Sequence, residues 1–406
     1  MQKRFTPDEG GVFPEWEEVE FGKLFQRRSE KNGEEFGVDK TISVATMHFK
    51  PEGNKADEKS LPKYKVMRTG DIAFEGHINK HFKHGRFVLN DIGDGIISPI
   101  FEVLQPVSEL SKEVPGFWKY YINYEPVMGK ILAKCANTGI MMNRLAIKDF
   151  YKQKIKVPCI EEQRKIAAAL AAYDEMIAVK TAKLETWQEC KKRMVKEIFG
   201  RTKRFRDDDG NEFPEWEEKM LGEIIEYVRN GYSYKPDGVR THEYKVTRIE
   251  TISTGKINPE KLGSCEECDE KYLLKPGDIL YSNINSLSYL GNTAIYKNSS
   301  EKIYHGMNLL CIRPKSDDID ADYLFAFLNS EAARKFVKYN AQRAVNQCSI
   351  KVSDVRNMRI PLPCIEEQQK IGSFLAEIDK EIEIQKEFIK TYAEGKKRMM
   401  RELIEG

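Results

Sequence analysis

The chain repeats itself, and this internal repeat constrains the fold more than any other feature of the sequence. Phe-Pro-Glu-Trp-Glu-Glu occupies positions 13–18 and again 213–218, a spacing of 200 residues. Pro-Cys-Ile-Glu-Glu-Gln occupies positions 158–163 and again 363–368, a spacing of 205 residues. The chain therefore consists of two copies of one unit, each a long variable segment followed by a helical segment.

The variable segments differ strongly between their matched ends. Gly-Asp-Ile at 70–72 and at 277–279 marks a shared turn and strand, but the residues that follow are unlike. The two variable segments thus have similar ends but different central residues, which indicates two recognition surfaces for different targets. The alternative is an old duplication whose copies drifted apart, although drift would have spread over the helical segments as well.

Each helical segment carries an apolar heptad stripe over about 40 residues. The apolar seam positions are Ile166, Leu170, Tyr173, Ile177, Leu184, Trp187, Met194 and Ile198 in the first copy, and Ile371, Leu375, Ile378, Ile382, Ile389, Tyr392, Met399 and Leu403 in the second. Polar residues interrupt the two seams at equivalent positions, which are Lys180 and Lys191 in the first and Gln385 and Lys396 in the second. Because a helix with such a stripe must bury it, the other copy is the obvious partner.

The connectivity predicts that the two helices are antiparallel. Each helix spans roughly 60 Å, and the second variable segment begins directly where the first helix ends, so the second helix must run back along the first. We predict an α+β chain with two similar target-binding domains, separated by a pair of long antiparallel coiled-coil helices and related by a pseudo-two-fold axis. The predicted domains are 1–156 and 201–361, and the predicted helical segments are 157–200 and 362–406. Within the domains, the sequence predicts strands over 96–103 and 309–312 and helices over 116–124 and 322–339.

One basic loop in the first copy is a candidate for contact with DNA. Its candidate residues are Asn79, Lys80, His81, Lys83, His84 and Arg86, which concentrate cations, imidazoles and an amide in eight residues. Lys and Arg suit phosphates and guanine edges, and Asn suits adenine. A solvated basic loop without a ligand is the alternative.

The candidates in the second copy are polar but mostly uncharged. They are Asn283, Asn285, Ser286, Ser288 and Asn292. Such side chains can read base edges, but they also populate ordinary turns. A further pair of loops precedes the helical segments, with Asn137, Thr138, Asn143 and Arg144 in the first copy and Arg343, Asn346 and Gln347 in the second. For these loops, DNA contact and a plain turn into the last strand are both open.

The composition permits DNA binding without requiring it. Sixty-six Lys and Arg oppose 64 Asp and Glu, so the net charge is only +2 and any basic footprint must be local. No stretch approaches the ~18 apolar residues of a membrane-spanning helix, and no signal peptide is visible. Eight scattered cysteines favour free thiols in a reducing, cytoplasmic setting.

The order of the motifs resembles that of specificity subunits of type I restriction–modification systems. The resemblance rests on the duplicated Pro-x-Ile-Glu-Glu-Gln-x-x-Ile before a long helix, on Phe-Pro-x-Trp followed by Gly at 13–22 and 213–222, and on the Gly-Asp-Ile turn. It covers essentially the whole chain. It implies that the variable segments are target-recognition domains for a bipartite, asymmetric site in double-stranded DNA. It also implies that the helices dock two methyltransferase subunits that use S-adenosylmethionine and flip the target adenine out of the duplex, and that restriction/translocase subunits bring ATP and Mg²⁺.

Catalytic motifs are missing from the sequence, so we expect neither catalytic residues nor a metal or cofactor bound by this chain. There is no Asp/Asn-Pro-Pro-aromatic motif of an adenine methyltransferase, and no Gly-Lys pair precedes the Ser or Thr of a phosphate-binding loop. Cys265 and Cys268 form a lone Cys-x-x-Cys, for which a zinc site needs two more ligands, with His242 and His305 as the conceivable ones. Two other functions stay open, an interaction scaffold without DNA reading and an enzyme that acts alone.

Overall fold

The structure is a computed structural model that describes residues 4–50, 58–139, 142–234, 243–297, 301–343 and 347–405. The chain divides into two compact units. The first consists of Met1–Lys180 and Phe388–Gly406, and the second of Thr181–Glu387. Each of the two long helices therefore contributes residues to both units.

Short strands and helices make up the rest of each unit. The strands of the first unit are Glu17–Glu20, Phe25–Arg27, Ile42–Ser43, His48–Phe49, Lys65–Met67, Ile72–Glu75, Arg86–Leu89, Gly95–Ile97, Glu102–Pro106, Ala136–Asn137, Arg144–Leu145 and Lys154–Val157. Its short α-helices are Phe21–Leu24, Glu109–Lys112, Pro115–Tyr121, Glu125–Cys135 and Ile147–Tyr151. The strands of the second unit are Glu217–Met220, Ile225–Asn230, Tyr244–Val246, Gly263–Cys265, Ile279–Tyr281, Ile284–Asn285, Thr293–Ile295, Ile303–Tyr304, Leu310–Pro314, Gln342–Arg343, Cys348–Ser349 and Arg359–Leu362, and its short α-helices are Ala321–Leu328, Glu331–Asn340 and Val352–Arg356.

The repeat is visible in the central sheet of each unit. In the first unit, four antiparallel strands lie in the order Phe25–Arg27, Glu102–Pro106, Ile72–Glu75 and Arg86–Leu89. In the second unit, the order is Ile225–Asn230, Leu310–Pro314, Ile279–Tyr281 and Thr293–Ile295, again antiparallel. Alternate residues of a strand face opposite sides, and the third strand of each sheet is buried on both. Each sheet is therefore a covered layer between two apolar clusters.

The Gly-Asp-Ile marker holds an arginine in both units. Asp71 is fully buried and accepts hydrogen bonds from Arg28 at 2.6 and 3.0 Å. Asp278 is equally buried and accepts them from Arg313 at 2.7 and 2.6 Å. Such a bidentate, charge-assisted pair offsets the cost of burying a carboxylate. The marker therefore ties the start of the third strand to a neighbouring segment of the same sheet.

The long helices, Ile160–Phe199 and Ile365–Met400, pair in an antiparallel sense. In the first unit, Asp174 contacts Lys396 at 2.5 Å, and Lys180 lies 4.4 Å from the ring centroid of Phe388. The contact partners therefore move from residue 396 back to residue 388 as the first helix advances from residue 174 to residue 180, so the helices are antiparallel. The second unit repeats the first ion pair, because Lys191 contacts Asp379 at 2.6 Å and each of these residues lies 205 positions from its counterpart.

The apolar seam is buried where each helix meets the core of a unit and half-buried elsewhere. The buried seam residues include Ile166, Leu170, Ile371, Leu375 and Ile382. Seven other seam residues are half-buried, and these are Tyr173, Ile177, Leu184, Trp187, Ile389, Tyr392 and Met399. Where only the two helices pack against each other, the edges of the seam stay open to water. Where a helix also packs against the core of a unit, that core covers the seam residues. The predicted fold class is confirmed by the mixed elements, the matched units and the antiparallel helices.

The Glu-Glu-Gln motif at the start of each long helix anchors the chain entering that unit. Its second glutamate is buried in both copies, as Glu162 in the first and Glu367 in the second. Glu162 accepts hydrogen bonds from Arg4 at 3.0 and 2.6 Å and from the indole of Trp16 at 3.1 Å. The following glutamine turns inward, and its amide donates to the carbonyl of the proline five residues earlier in both copies. The duplicated motif therefore closes each unit around a buried carboxylate.

Two local predictions are wrong. The stretch 96–103 is two strands, Gly95–Ile97 and Glu102–Pro106, because Pro99 cannot donate to a sheet ladder and the chain turns around it. The stretch 322–339 is two helices, Ala321–Leu328 and Glu331–Asn340, because the hydroxyl of Ser330 caps the second by accepting from Ala333 N at 3.3 Å. The helix predicted at 116–124 is Pro115–Tyr121, and the strand predicted at 309–312 is Leu310–Pro314.

Candidate DNA interface

In the first unit, the two candidate loops lie side by side. Loop 1, residues 76–85, joins the third and fourth strands of the sheet, and hairpin 1 pairs Ala136–Asn137 with Arg144–Leu145. The N–H of Asn143 donates to the carbonyl of Gly76 at 2.9 Å. A Cβ on residue 76 would lie 2.0 Å from the carbonyl oxygen of Asn143, so glycine is what permits this approach. Segments far apart in the sequence thus form one surface.

Loop 1 presents most of its predicted residues to solvent. Asn79, Lys80, His81 and Lys83 are exposed, and His84 and Arg86 are half-buried. The amide oxygen of Asn79 accepts from the backbone N–H groups of His81 and Phe82, at 2.8 and 3.0 Å. In this conformation Asn79 shapes the turn, while the lysines remain available to a ligand.

Arg86 is held by three contacts within the first unit. Its Nε donates to Glu75 at 2.6 Å, and one terminal nitrogen donates to the carbonyl of Ala45 at 2.6 Å. Its guanidinium lies 5.2 Å from the ring centroid of Phe82. Arg86 therefore positions loop 1, and its predicted contact with DNA would compete with these bonds.

The second unit assembles the corresponding surface through a small sheet. Loop 2, residues 282–292, contains the strand Ile284–Asn285, and hairpin 2 pairs Gln342–Arg343 with Cys348–Ser349. The loop strand pairs with Cys348–Ser349, so the order across the sheet is loop, inner hairpin strand, outer hairpin strand. The N–H of Ile350 donates to the carbonyl of Asn283 at 3.0 Å. Loop and hairpin are therefore joined in both units.

The predicted polar residues of loop 2 partly bond to one another. The amide of Asn285 donates to the hydroxyl of Ser282 at 3.2 Å, and its oxygen accepts from the N–H of Ser286 at 2.8 Å. The hydroxyls of Ser286 and Ser288 lie 3.1 Å apart, and both residues are exposed. Asn292 is half-buried. Ser282, Asn285, Tyr289 and Asn292 line one side of a shallow pocket of about 230 Å³.

Two predicted asparagines are buried at the junction of loop and hairpin. Asn143 is 4% exposed and Asn283 is 6% exposed. The amide oxygen of each is buried without a hydrogen-bond partner among the described residues. In this conformation neither side chain can touch DNA directly, and both instead fill the space between loop and hairpin.

The remaining hairpin residues lie at the surface. Asn137, Thr138 and Arg144 are exposed in hairpin 1, and Arg343 and Gln347 are exposed in hairpin 2. The prediction for Asn346 falls outside the described residues, as does that for His242 as a zinc ligand. The described hairpin residues therefore add cations and amides next to both loops.

A support helix precedes each hairpin, and sequence reasoning missed its exposed residues. Support helix 1, Glu125–Cys135, exposes Lys130 and Lys134, and support helix 2, Glu331–Asn340, exposes Lys335 and Lys338. The signal was present, because Lys130 and Lys335 occupy matched positions of the repeat. Support helix 2 also holds loop 2, since Arg334 donates to the carbonyl of Leu290 at 3.3 Å.

His305 is a core residue, not a surface ligand. It is 1% exposed, and its Nε2 lies 2.9 Å from the carbonyl of Leu309, which fits a neutral ring that donates from Nε2. Burial lowers the pKa of His305 to about 4. Across the described ranges, no group of three or more His, Cys, Asp or Glu side chains is placed to hold a metal ion.

The chain matches one protein-family model. That model is described as the type I restriction modification DNA specificity domain, and it matches residues 100–186 and 214–391. Both matched stretches include parts of the loops, hairpins or support helices described above and part of a long helix.

Three curated relatives are similar to parts of the chain. The putative type I restriction enzyme MjaX specificity subunit of Methanocaldococcus jannaschii is 40% identical over 210 residues, which cover 50% of this chain and 49% of the relative. The MjaVIII specificity subunit of the same organism is 27% identical, with 77% of this chain and 74% of the relative covered. The EcoKI specificity subunit of Escherichia coli is 24% identical, with 63% and 56% covered. The chain thus spans about half the length of MjaX and EcoKI.

Two solved structures share the fold over nearly the whole chain. The S subunit of a type I restriction–modification system from M. genitalium is 15% identical, with a TM-score of 0.63 and coverage of 98% of this chain and 99% of that one. A chain from a structure on complex assembly and conformational transition of the type I R-M system is 20% identical, with a TM-score of 0.54 and coverage of 97% and 98%. Among the described residues, none of the helices has the length and apolarity needed to cross a membrane.

Proposed function

Because the chain belongs to the type I restriction–modification DNA specificity family, we propose that it reads DNA sequence for a type I restriction–modification complex. It binds double-stranded DNA at a bipartite, asymmetric site, with one unit on each half. One observation carries this proposal: in each unit, a loop, a hairpin and a support helix join into one surface, and the side chains of the two surfaces differ.

The first surface is rich in cations. Lys80, Lys83, Lys130, Lys134 and Arg144 are all exposed on its three pieces. Cations of this kind neutralise phosphates and release counterions, so binding through them weakens steeply with salt. The near-neutral charge of the whole chain is compatible with this surface because the basic residues are concentrated locally.

The second surface relies more on amides and hydroxyls. Asn285, Ser286, Ser288, Arg343 and Gln347 lie on its loop and hairpin, half-buried or exposed. Amide groups can make paired hydrogen bonds to adenine, and arginine can make them to guanine. Two such unlike surfaces favour a site whose halves have different sequences.

The chain itself is non-catalytic in this proposal and acts by placing its partners on DNA. Two methyltransferase subunits dock on the long helices, and restriction/translocase subunits complete the complex. S-adenosylmethionine, ATP and Mg²⁺ belong to those partners, since the sequence lacks the motifs that would bind them. All eight cysteines are free thiols, which supports a cytoplasmic location.

A domain exchange tests the division of labour. The chain is purified with its methyltransferase subunits and used to select duplexes from a randomised library. Replacing residues 20–150 with the corresponding segment of another specificity subunit should change one half of the selected sequence only. The matched exchange of residues 220–355 should change the other half only.

The same experiment separates DNA reading from a scaffold role. If the wild-type chain selects no sequence, and its affinity for duplex DNA does not fall with salt, the chain is a protein scaffold instead. If either exchange alters both halves, the two units do not read independently and the modular proposal fails.

A further inference from the structure

Tyr339 is the most exposed large aromatic side chain among the described residues, at 90%. It lies in the last turn of support helix 2, three residues before the first strand of hairpin 2. An aromatic ring left in water forgoes the favourable burial that such a large apolar surface would bring. Among the described residues, the ring is therefore open to a partner next to the candidate DNA surface.

The surroundings of the ring favour a polyanion as the partner. Lys338 directly precedes Tyr339 and is exposed, and Arg343 follows on the outer strand of hairpin 2, also exposed. Lys335 lies one turn back on the same helix, paired with Glu331 at 2.8 Å. The exposed cations that precede and follow Tyr339 in the chain can bind phosphate groups of a nucleic acid that the ring contacts.

Support helix 2 fixes the position of the ring relative to loop 2. Gly291 of the loop has φ +76°, and a Cβ there would lie 2.9 Å from a methyl carbon of Val337. Val337 is buried, two residues before Tyr339, and Arg334 bonds the carbonyl of Leu290. The helix is therefore clamped to the loop on one face, and Tyr339 projects from a rigid element.

The repeat supplies a comparison for this position. Residue 134, which lies 205 positions earlier, is an exposed lysine in support helix 1. A lysine gains from a phosphate, whereas an aromatic ring gains from the face of a base or sugar. The matched positions therefore offer a nucleic acid different chemistry.

We propose that Tyr339 is a wedge residue, whose ring inserts at a base step of bound duplex DNA in the second half-site, partly unstacks it and stacks on the exposed base. Lys134, at the matched position of the first unit, contacts a phosphate. This inference rests on the proposed function and adds to it a named residue and a named mode of contact.

The test compares Tyr339→Ala, Tyr339→Phe and Lys134→Ala in the full chain, purified with its methyltransferase subunits. The probe is the duplex that the wild-type chain selects from a randomised library, with 2-aminopurine placed in turn at the adenines of the second half-site. Tyr339→Ala should weaken binding about ten-fold, at the lower end for one stacked base because unstacking the duplex step costs free energy, with an unchanged salt slope. It should also abolish a 2-aminopurine fluorescence change that Tyr339→Phe retains.

Lys134→Ala should behave differently, lowering the magnitude of the salt slope by about one and weakening all sequences alike. Circular dichroism and thermal midpoints should match the wild type for all three variants, since both side chains are exposed. Tyr339→Ala binding within two-fold of the wild type, or a loss that Tyr339→Phe shares, overturns the inference while leaving the proposed function intact. A wild-type chain that selects no sequence overturns both.

Discussion

Replacing Arg204 with alanine tests how the duplicated glutamate motif holds a unit together. Glu367 is completely buried, at 0% exposure. One of its oxygens accepts from Arg204 at 2.9 Å and from the indole of Trp216 at 2.9 Å. The variant removes the cation and leaves a buried carboxylate, for which the indole is the remaining side-chain donor among the described residues.

The expected loss follows from this geometry. Stranding one charge of a buried ion pair costs about 3 to 5 kcal/mol. Because the Arg204 side chain is 25% exposed, water can enter where the guanidinium was, and the loss should fall at the lower end, about 3 kcal/mol. Arg204 also donates to the carbonyls of Phe213 and Pro214 at 3.0 and 2.6 Å, and the loss of these exposed or half-buried bonds adds little.

A second substitution isolates the contribution of the charge. In a Glu367→Gln background, the buried group is neutral, so Arg204→Ala should cost about 1 kcal/mol or less. The repeat offers a matched variant in the first unit, because Arg4 bonds the buried Glu162 in the same way. Arg4→Ala should destabilise the first unit by a similar amount.

Urea unfolding followed by tryptophan fluorescence measures the free energy of unfolding of each variant. Hydrogen exchange of peptides from each unit shows where the stability is lost, which should be the second unit for Arg204 and the first for Arg4. The reasoning is refuted if Arg204→Ala costs less than 1 kcal/mol, or if it costs as much in the Glu367→Gln background as in the wild-type chain.

Three further predictions concern other parts of the chain. As pH falls, His305 is protonated in the unfolded chain near its ordinary pKa of 6.5, whereas burial lowers its pKa in the folded chain to about 4. Protonation of the unfolded chain between these values therefore lowers the free energy of unfolding by about 3 kcal/mol. His305→Gln should lessen this loss in urea unfolding measured from pH 7 to pH 4, and equal pH dependences for both proteins would contradict the prediction. Lys396→Glu should lower the free energy of unfolding by about 1 kcal/mol, because it places a negative charge next to Asp174. Adding Asp174→Lys should restore the thermal midpoint, and a double variant as unstable as Lys396→Glu alone would contradict the prediction. Gly76→Ala should lower the free energy of unfolding by about 1 to 3 kcal/mol, because its Cβ would meet the carbonyl of Asn143. It should also weaken selection of one DNA half-site. An unaltered free energy of unfolding would show that loop 1 and hairpin 1 do not touch.

Several features of the fold could be predicted because they depend on patterns repeated along the chain. The heptad stripe predicted long helices, and the helix at Ile160–Phe199 lies within the predicted segment. The direction of pairing followed from connectivity, and the contacts of Asp174 with Lys396 and of Lys180 with Phe388 confirm it. The second unit adds the contact of Lys191 with Asp379. The sequence did not predict this ion pair, although Lys191 and Lys396 were seen as interruptions of the seam. A lysine at a seam position has a partner only when the second helix is in register.

Local boundaries were less predictable, since they depend on single side chains. Ser330 interrupts an apolar pattern that otherwise continues through both helices, and its capping bond to Ala333 decides the break. Arg86 and Asn143 were predicted to contact DNA because of their residue types. Their burial and bonding depend on neighbours such as Glu75 and Gly76, which no count of nearby cations or amides could indicate.

The sequence by itself determined the duplication, the long apolar stripes and the unlike chemistry of the two variable segments, because these are properties of residue order. Only the tertiary structure decided which of the polar segments share a surface. Loop 2 and hairpin 2 are separated by the last strands of the sheet and two helices, and they meet because Ile284–Asn285 pairs with Cys348–Ser349. Strand pairing satisfies backbone hydrogen bonds between distant residues, and those bonds carry no local signature in the order of the side chains.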